Sequence, residues 1–113
     1  MPDASLKPIL SSSSPFFIVR DVLRSIAFYR DLLGFQLTYL TPDENPFFAV
    51  FRRDGAGLMV KAILPDVQAL PNAERHPWAQ WDAFVHTPDP DALAAEFLAR
   101  GVTLHTPLTN TED

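Results

Sequence analysis

Cysteine is absent from the chain, which excludes a disulfide framework, a thiolate nucleophile and a thiolate metal site together. Small secreted scaffolds usually depend on such bridges, so a reducing cytoplasm is the expected compartment. Long apolar runs are missing as well. Residues 1–14 carry one lysine and nothing like the roughly 20 apolar residues of a membrane span. They read as a flexible leader over 1–13, and no membrane partner is expected. Positive charge is the third shortage: 9 Lys and Arg stand against 14 Asp and Glu, for a formal charge of −5. Nucleic-acid affinity comes largely from clustered Lys and Arg on phosphates, so nucleic acid is not an expected partner, and cationic or neutral ligands are easier to admit.

What is present is globular. Apolar residues make up 47% and charged residues 20%, a balance that buries a core instead of leaving a chain disordered. The 113 residues suffice for one core and not for two, so a single domain is expected over 14–113. Phenylalanine supplies 9 of the aromatics, many on stretches of strand length where they can face a core or a pocket.

Ser11 to Pro15 is a polar lead-in, and Phe16-Phe17-Ile18-Val19 behind it is apolar on both parities, as in a strand covered on both faces. Asp21 fits an N-cap whose carboxylate accepts from the free amides of a helix with the stripe Val22, Ile26, Tyr29 and Leu33. Gly34 ends that helix. Phe35 to Thr41 alternates like a half-buried strand, Pro42 to Pro46 breaks it, and Phe47 to Phe51 is a third strand. Asp54-Gly55 signals a hairpin into a fourth strand over Gly57 to Leu64. The order over 14–64 is therefore βαβββ. A Pro- and Asn-bearing connection over 65–79 leads to a partial second unit over 80–113. There Asp82 to Thr87 is strand-like, Asp89 and Pro90 open a helix with the stripe Leu93 and Phe97, Gly101 closes it, and Val102 to His105 begins another strand.

The two halves repeat. Val19-Arg20-Asp21 matches Thr87-Pro88-Asp89 at a spacing of 68, Tyr29 meets Phe97 at the same spacing, and Gly34 and Gly101 differ by 67. One supersecondary unit used twice accounts for cap, stripe and glycine together. The second use is incomplete within the 113 residues, being naturally short or truncated before its last hairpin. An unfinished sheet leaves edges that invite pairing with another chain, so a homodimer is expected.

Phe17-Ile18-Val19-Arg20-Asp21-Val22, followed by Arg24-Ser25-Ile26-Ala27-Phe28-Tyr29-Arg30-Asp31-Leu32-Leu33-Gly34-Phe35, resembles the vicinal oxygen chelate superfamily of glyoxalase, bleomycin-resistance and extradiol-dioxygenase proteins. Trp81 to Phe84, Asp91 to Leu93 and Ala99 to Val102 resemble its second module. The resemblance implies an α+β fold of paired βαβββ modules forming a curved mixed sheet around a cleft, usually completed in a homodimer. It also implies a divalent metal held by His, Gln or Glu, one from the first and one from the fourth strand of each module. Those positions fall here on Ser14, Lys61 and Asp82, with the last beyond residue 113. A neutral hydroxyl is a poor ligand and an ammonium repels a cation, so a family-type metal is disfavoured and no cofactor is expected.

If Asp82 faces the cleft, strand alternation sets Phe84 and His86 beside it. Lys61 and Asp82 would then pair where the metal would otherwise sit, with His86 the group there that titrates near neutral pH and the candidate for moving a proton. Phe16, Phe47, Phe51, Phe84, Trp78 and Trp81 supply an aromatic wall able to stack a planar or cationic ligand. His76, in a Pro-flanked loop, and His105, near the terminus, have no partner at ligand spacing. The expected function is metal-independent binding of a small organic molecule. The alternatives are a metal-dependent lyase, isomerase or dioxygenase with a site rebuilt from Asp82 and His86, and a ferredoxin-like interaction domain.

Overall fold

In the computed structural model, the described residues are 9–62, 70–78, 81–106 and 108. Residues 1–8 of the expected leader, 63–64 of the expected fourth strand, 65–69 and 79 of the connection, and 80, 107 and 109–113 of the expected second unit lie outside them.

Strand β1 (Phe16–Val19) leads to Asp21, whose carboxylate accepts from the amides of Leu23 at 3.0 Å and Arg24 at 3.3 Å and so caps helix α1 (Val22–Ile26). The helix widens into a π-helical turn over Ala27–Leu32, with Leu33 N–H donating to the carbonyl of Phe28. Gly34 ends it at φ 77, a region costly for a residue with a side chain. A Cβ there would also come within 2.9 Å of the Arg53 guanidinium, so crowding and backbone both select glycine.

Strands β2 (Gln36–Thr41), β3 (Phe48–Arg53) and β4 (Ala56–Ala62) complete a four-stranded sheet of order β1-β4-β3-β2. β1 runs parallel to β4, and the other pairings are antiparallel. The β3–β4 turn is Asp54-Gly55, with Asp54 in the left-handed region at φ 51 that Asp tolerates. A bulge between Leu37 and Tyr39 offsets the β2–β3 register.

Alternation divides the sheet. Ala49, Phe51, Leu58 and Val60 are buried against Val22 and Ile26 of α1, with Phe17, Val19, Tyr29 and Leu37 packed around them. The opposite face carries no helix among the described residues. This corrects the expectation that β1 is covered on both sides: Phe16 and Ile18 are exposed while Phe17 and Val19 pack on the core.

The second half keeps its local signals and loses its sheet. A short helix, α2 (Asn72–Arg75), stands within the connection. Asp89 accepts from the Ala92 amide at 3.0 Å and caps α3 (Pro90–Ala99), and Gly101 follows it at φ 98. No residue of α3 is buried. The expected strands over Asp82 to Thr87 and Val102 to His105 are not formed. In the first half, β1 is hydrogen-bonded to its own β4, and no second-half counterpart of β4 exists among the described residues. Without a ladder partner an extended segment stays coil.

A charged cluster ties α3 to the first half. Arg53 donates to both carboxylate oxygens of Glu96, at 2.6 and 2.7 Å, and to the Leu33 carbonyl at 2.7 Å. Arg100 donates to Glu96 at 3.2 Å and to the Asp31 carbonyl at 3.2 Å. The fork geometry supplies orientation, though partial exposure keeps the stabilisation modest.

Candidate functional site

The uncovered sheet face consists of cross-strand rows fixed by register. One row runs Phe16, Met59, Val50, Tyr39, and the next Ile18, Lys61, Phe48, Thr41. Phe48 sits between the aromatic flanks, its ring centroid 6.4 Å from Phe16 and 6.0 Å from Tyr39. Phe16 and Tyr39 are 52% and 54% exposed, so this wall is apolar, aromatic and open to solvent. Contiguous exposed apolar surface of this kind is a candidate interaction surface. At one end the Lys61 ammonium lies 5.8 Å from the centre of the Phe47 ring.

Three of the sequence-predicted residues, Phe16, Lys61 and Phe47, therefore stand at the wall. Phe51 does not: it is 0% exposed, on the α1 side, because Ala49 and Phe51 share the parity that packs on the helix. Phe48, Tyr39, Val50 and Met59 were not singled out from sequence. Alternation anchored at the Asp54-Gly55 hairpin groups Phe48, Val50 and Met59 on one face, without saying which face meets the helix.

The expected convergence of Ser14, Lys61 and Asp82 is not realised. Ser14 packs on Gly57, where a Cβ would come 2.6 Å from its hydroxyl, whereas the β1 neighbour of Lys61 is Ile18. Four strand positions separate these sites, about 13 Å at the ordinary rise per residue. Asp82 lies close enough to Tyr29 for its charge to act on the phenol. Burial first, and the Asp82 charge second, hold the Tyr29 phenol above its ordinary pKa. A hydroxyl and an ammonium, poor ligands already and set this far apart, do not share a divalent metal. Among the described residues no three His, Asp or Glu side chains group as a metal site either.

Trp81, Phe84 and His86 form a separate exposed cluster, with ring distances of 5.5 Å for Trp81–Phe84 and 4.9 Å for Phe84–His86. Phe84 and His86 thus stand together as alternation implies, though without a strand. Trp78 stacks on His76 at 5.0 Å and is 75% exposed. The expected Lys61–Asp82 ion pair is absent: the ion pairs among the described residues are Arg30–Asp31, Arg53–Glu96 and Arg100–Glu96.

A concavity of about 560 Å³ lies away from the aromatic wall, between α3 and the chain that follows it, lined by Ala94, Leu98, Val102, Leu104 and Leu108. It is the apolar side of α3 where the first half would place a sheet, and it carries little polar chemistry.

A βαβββ unit with an open aromatic wall, followed by a second cap-helix-glycine unit, defines a small α+β protein of the paired-module kind. The sequence profile described as Glyoxalase/Bleomycin resistance protein/Dioxygenase superfamily matches residues 12–113, and the chain belongs to that superfamily. Among solved structures it is similar to TioX from Micromonospora sp. ML1, at 19% identity and a TM-score of 0.63 over 90% of this chain and 81% of that one. It is also similar to the bleomycin-binding protein from bleomycin-producing Streptomyces verticillus complexed with copper(II)-bleomycin, at 24% identity and a TM-score of 0.56 over 84% of this chain and 66% of that one. A glyoxalase/bleomycin resistance protein/dioxygenase from Nocardioides matches at 17% identity and a TM-score of 0.54, over 96% and 73%. At these identities the likeness concerns the fold. No curated protein matches in sequence. Superfamily membership sets aside the ferredoxin-like alternative. No helix among the described residues is long and apolar enough to cross a membrane.

Proposed function

We propose that the protein binds a small organic molecule on the open face of its sheet, without a metal at the family positions. The observation that carries this is the pair of cross-strand rows on the open face, where half-buried Phe48 lies between exposed Phe16 and Tyr39, a preformed stacking surface on rigid strands. The solved bleomycin-binding relative, a small-molecule complex on the same fold, supports it. The lack of cysteine favours a cytoplasmic setting. The test is a ligand screen on metal-free protein with Phe48→Ser as the comparison. Ligands that protect the wild type from thermal unfolding and lose that protection in the variant are expected. A screen without hits, or hits indifferent to Phe48→Ser, would sink the proposal.

The same reading includes a homodimer. α3 has no buried residue, and both sheet edges, β1 and β2, are unpaired among the described residues. A monomeric mass by light scattering at micromolar concentration would remove this part and leave the binding face in place.

A further inference from the structure

The strands carry an unusual charge distribution for an acidic protein. Asp and Glu total 14, yet none lies in β1, β2, β3 or β4. The charged strand residues are Arg52, Arg53 and Lys61. Arg53 is on the α1 side and is held by Glu96, which leaves Arg52 and Lys61 as the charges on the open face. Neither is in an ion pair among the described residues; Arg52 donates to the Ser12 hydroxyl at 3.2 Å, and Lys61 lies over Phe47. Asp43 and Glu44 stand in the turn at the Lys61 end, and neither forms an ion pair with it.

Net charge and local charge thus point in opposite directions, and distance decides between them. At physiological ionic strength, exposed charges are screened beyond about 8 Å, so carboxylates on helices and far turns act weakly on a ligand lying on the wall. A ligand group beside Lys61 meets an ammonium at contact distance. Resting on the binding proposed above, we infer that the preferred ligand is a planar apolar molecule bearing one anionic group, a carboxylate or its equivalent, paired with Lys61 while its ring system stacks on Phe48, Phe16 and Tyr39. This reverses the preference for cationic or neutral ligands that the net charge of −5 suggests. A cationic ring system would stack equally well but bring its charge against Lys61 and Arg52, with no strand carboxylate to receive it.

Three probes of one shape separate the possibilities: 2-naphthoate, neutral 2-naphthamide and cationic 2-naphthylmethylammonium. Met59 lies in the middle of the wall, and the only other methionine is Met1, so a ¹³C-methyl methionine spectrum reports binding at this face directly. Naphthoate is expected to bind about tenfold more tightly than the amide, the order of effect a charge-assisted contact gives at a half-exposed site, with the ammonium weakest. Lys61→Gln should erase the gap between naphthoate and amide, and Arg52→Gln should leave most of it. Amide or ammonium binding as tightly as naphthoate in the wild type would overturn the anion preference and leave the binding face standing. A gap that survives Lys61→Gln would overturn the assignment to Lys61. Failure of all three probes to move the Met59 signal at millimolar concentration would overturn the binding face as well. The wild-type comparison needs no variant, so a destabilised Lys61→Gln cannot shield the inference.

Discussion

Helices α1 and α3 begin and end alike, yet only one of them is built into a core. Both open on an aspartate accepting from the first amides and both are followed by a glycine at positive φ, Gly34 or Gly101. α1 buries Val22 and Ile26 against β3 and β4; α3 has no fully buried residue and is tied to the first half by Glu96 between Arg53 and Arg100. Helix limits are a local matter of caps and left-handed residues. Burial needs a sheet, and a sheet needs partners distant in sequence.

The largest expected difference between the halves is in the apolar stripe. Phe51→Ala, at the centre of the α1 packing, should cost about 3 to 5 kcal/mol, whereas Phe97→Ala on the half-buried stripe of α3 should cost about 1 kcal/mol or less. Urea unfolding measures both. Equal costs would mean that another surface covers α3 in solution, which would strengthen the homodimer.

The caps should separate the halves less. Asp21→Ala should lower global stability by about 1 kcal/mol, because α1 unfolds with the core. Asp89→Ala removes an equivalent bond, but its effect should appear as faster amide exchange confined to α3, with the global transition unmoved. A full loss of global stability for Asp89→Ala would place α3 in the same cooperative unit as α1.

The smallest effect concerns the tie between the halves. The hydrogen bond from Arg53, with lesser help from Arg100, holds the Glu96 carboxyl below its ordinary pKa of 4.5. A depressed folded-state pKa stabilises the fold above the ordinary value, and that contribution fades as pH falls through the folded value. The stability gap between wild type and Glu96→Gln should therefore be constant at neutral pH and close in acid below 4.5. A gap independent of pH would show that Glu96 acts through packing alone.

Much of this architecture is legible in the residues. The caps at Asp21 and Asp89, the glycines after each helix and the Asp54-Gly55 hairpin rest on interactions within a few residues, and they and the βαβββ order are observed. The binding face is only half legible. Phe47-Phe48-Ala49-Val50-Phe51 is apolar on both parities, so pattern alone does not say which parity meets the helix, and Phe51 goes to the core while Phe48 faces out. Nor does sequence reveal that Ser14 sits against Gly57 and not beside Lys61, because parallel register is set across more than forty residues by the packing of α1.

The sequence by itself thus determined the local elements and the superfamily, through spacing, capping and turn chemistry that act over a few residues. The tertiary structure alone decided which face of the sheet stays open, which charges stand on it, and that the 82–87 segment, with no strand pairing among the described residues, is not a strand. Those outcomes depend on contacts between distant segments, and a backbone amide or a phenylalanine ring takes its role only once its partner is in place.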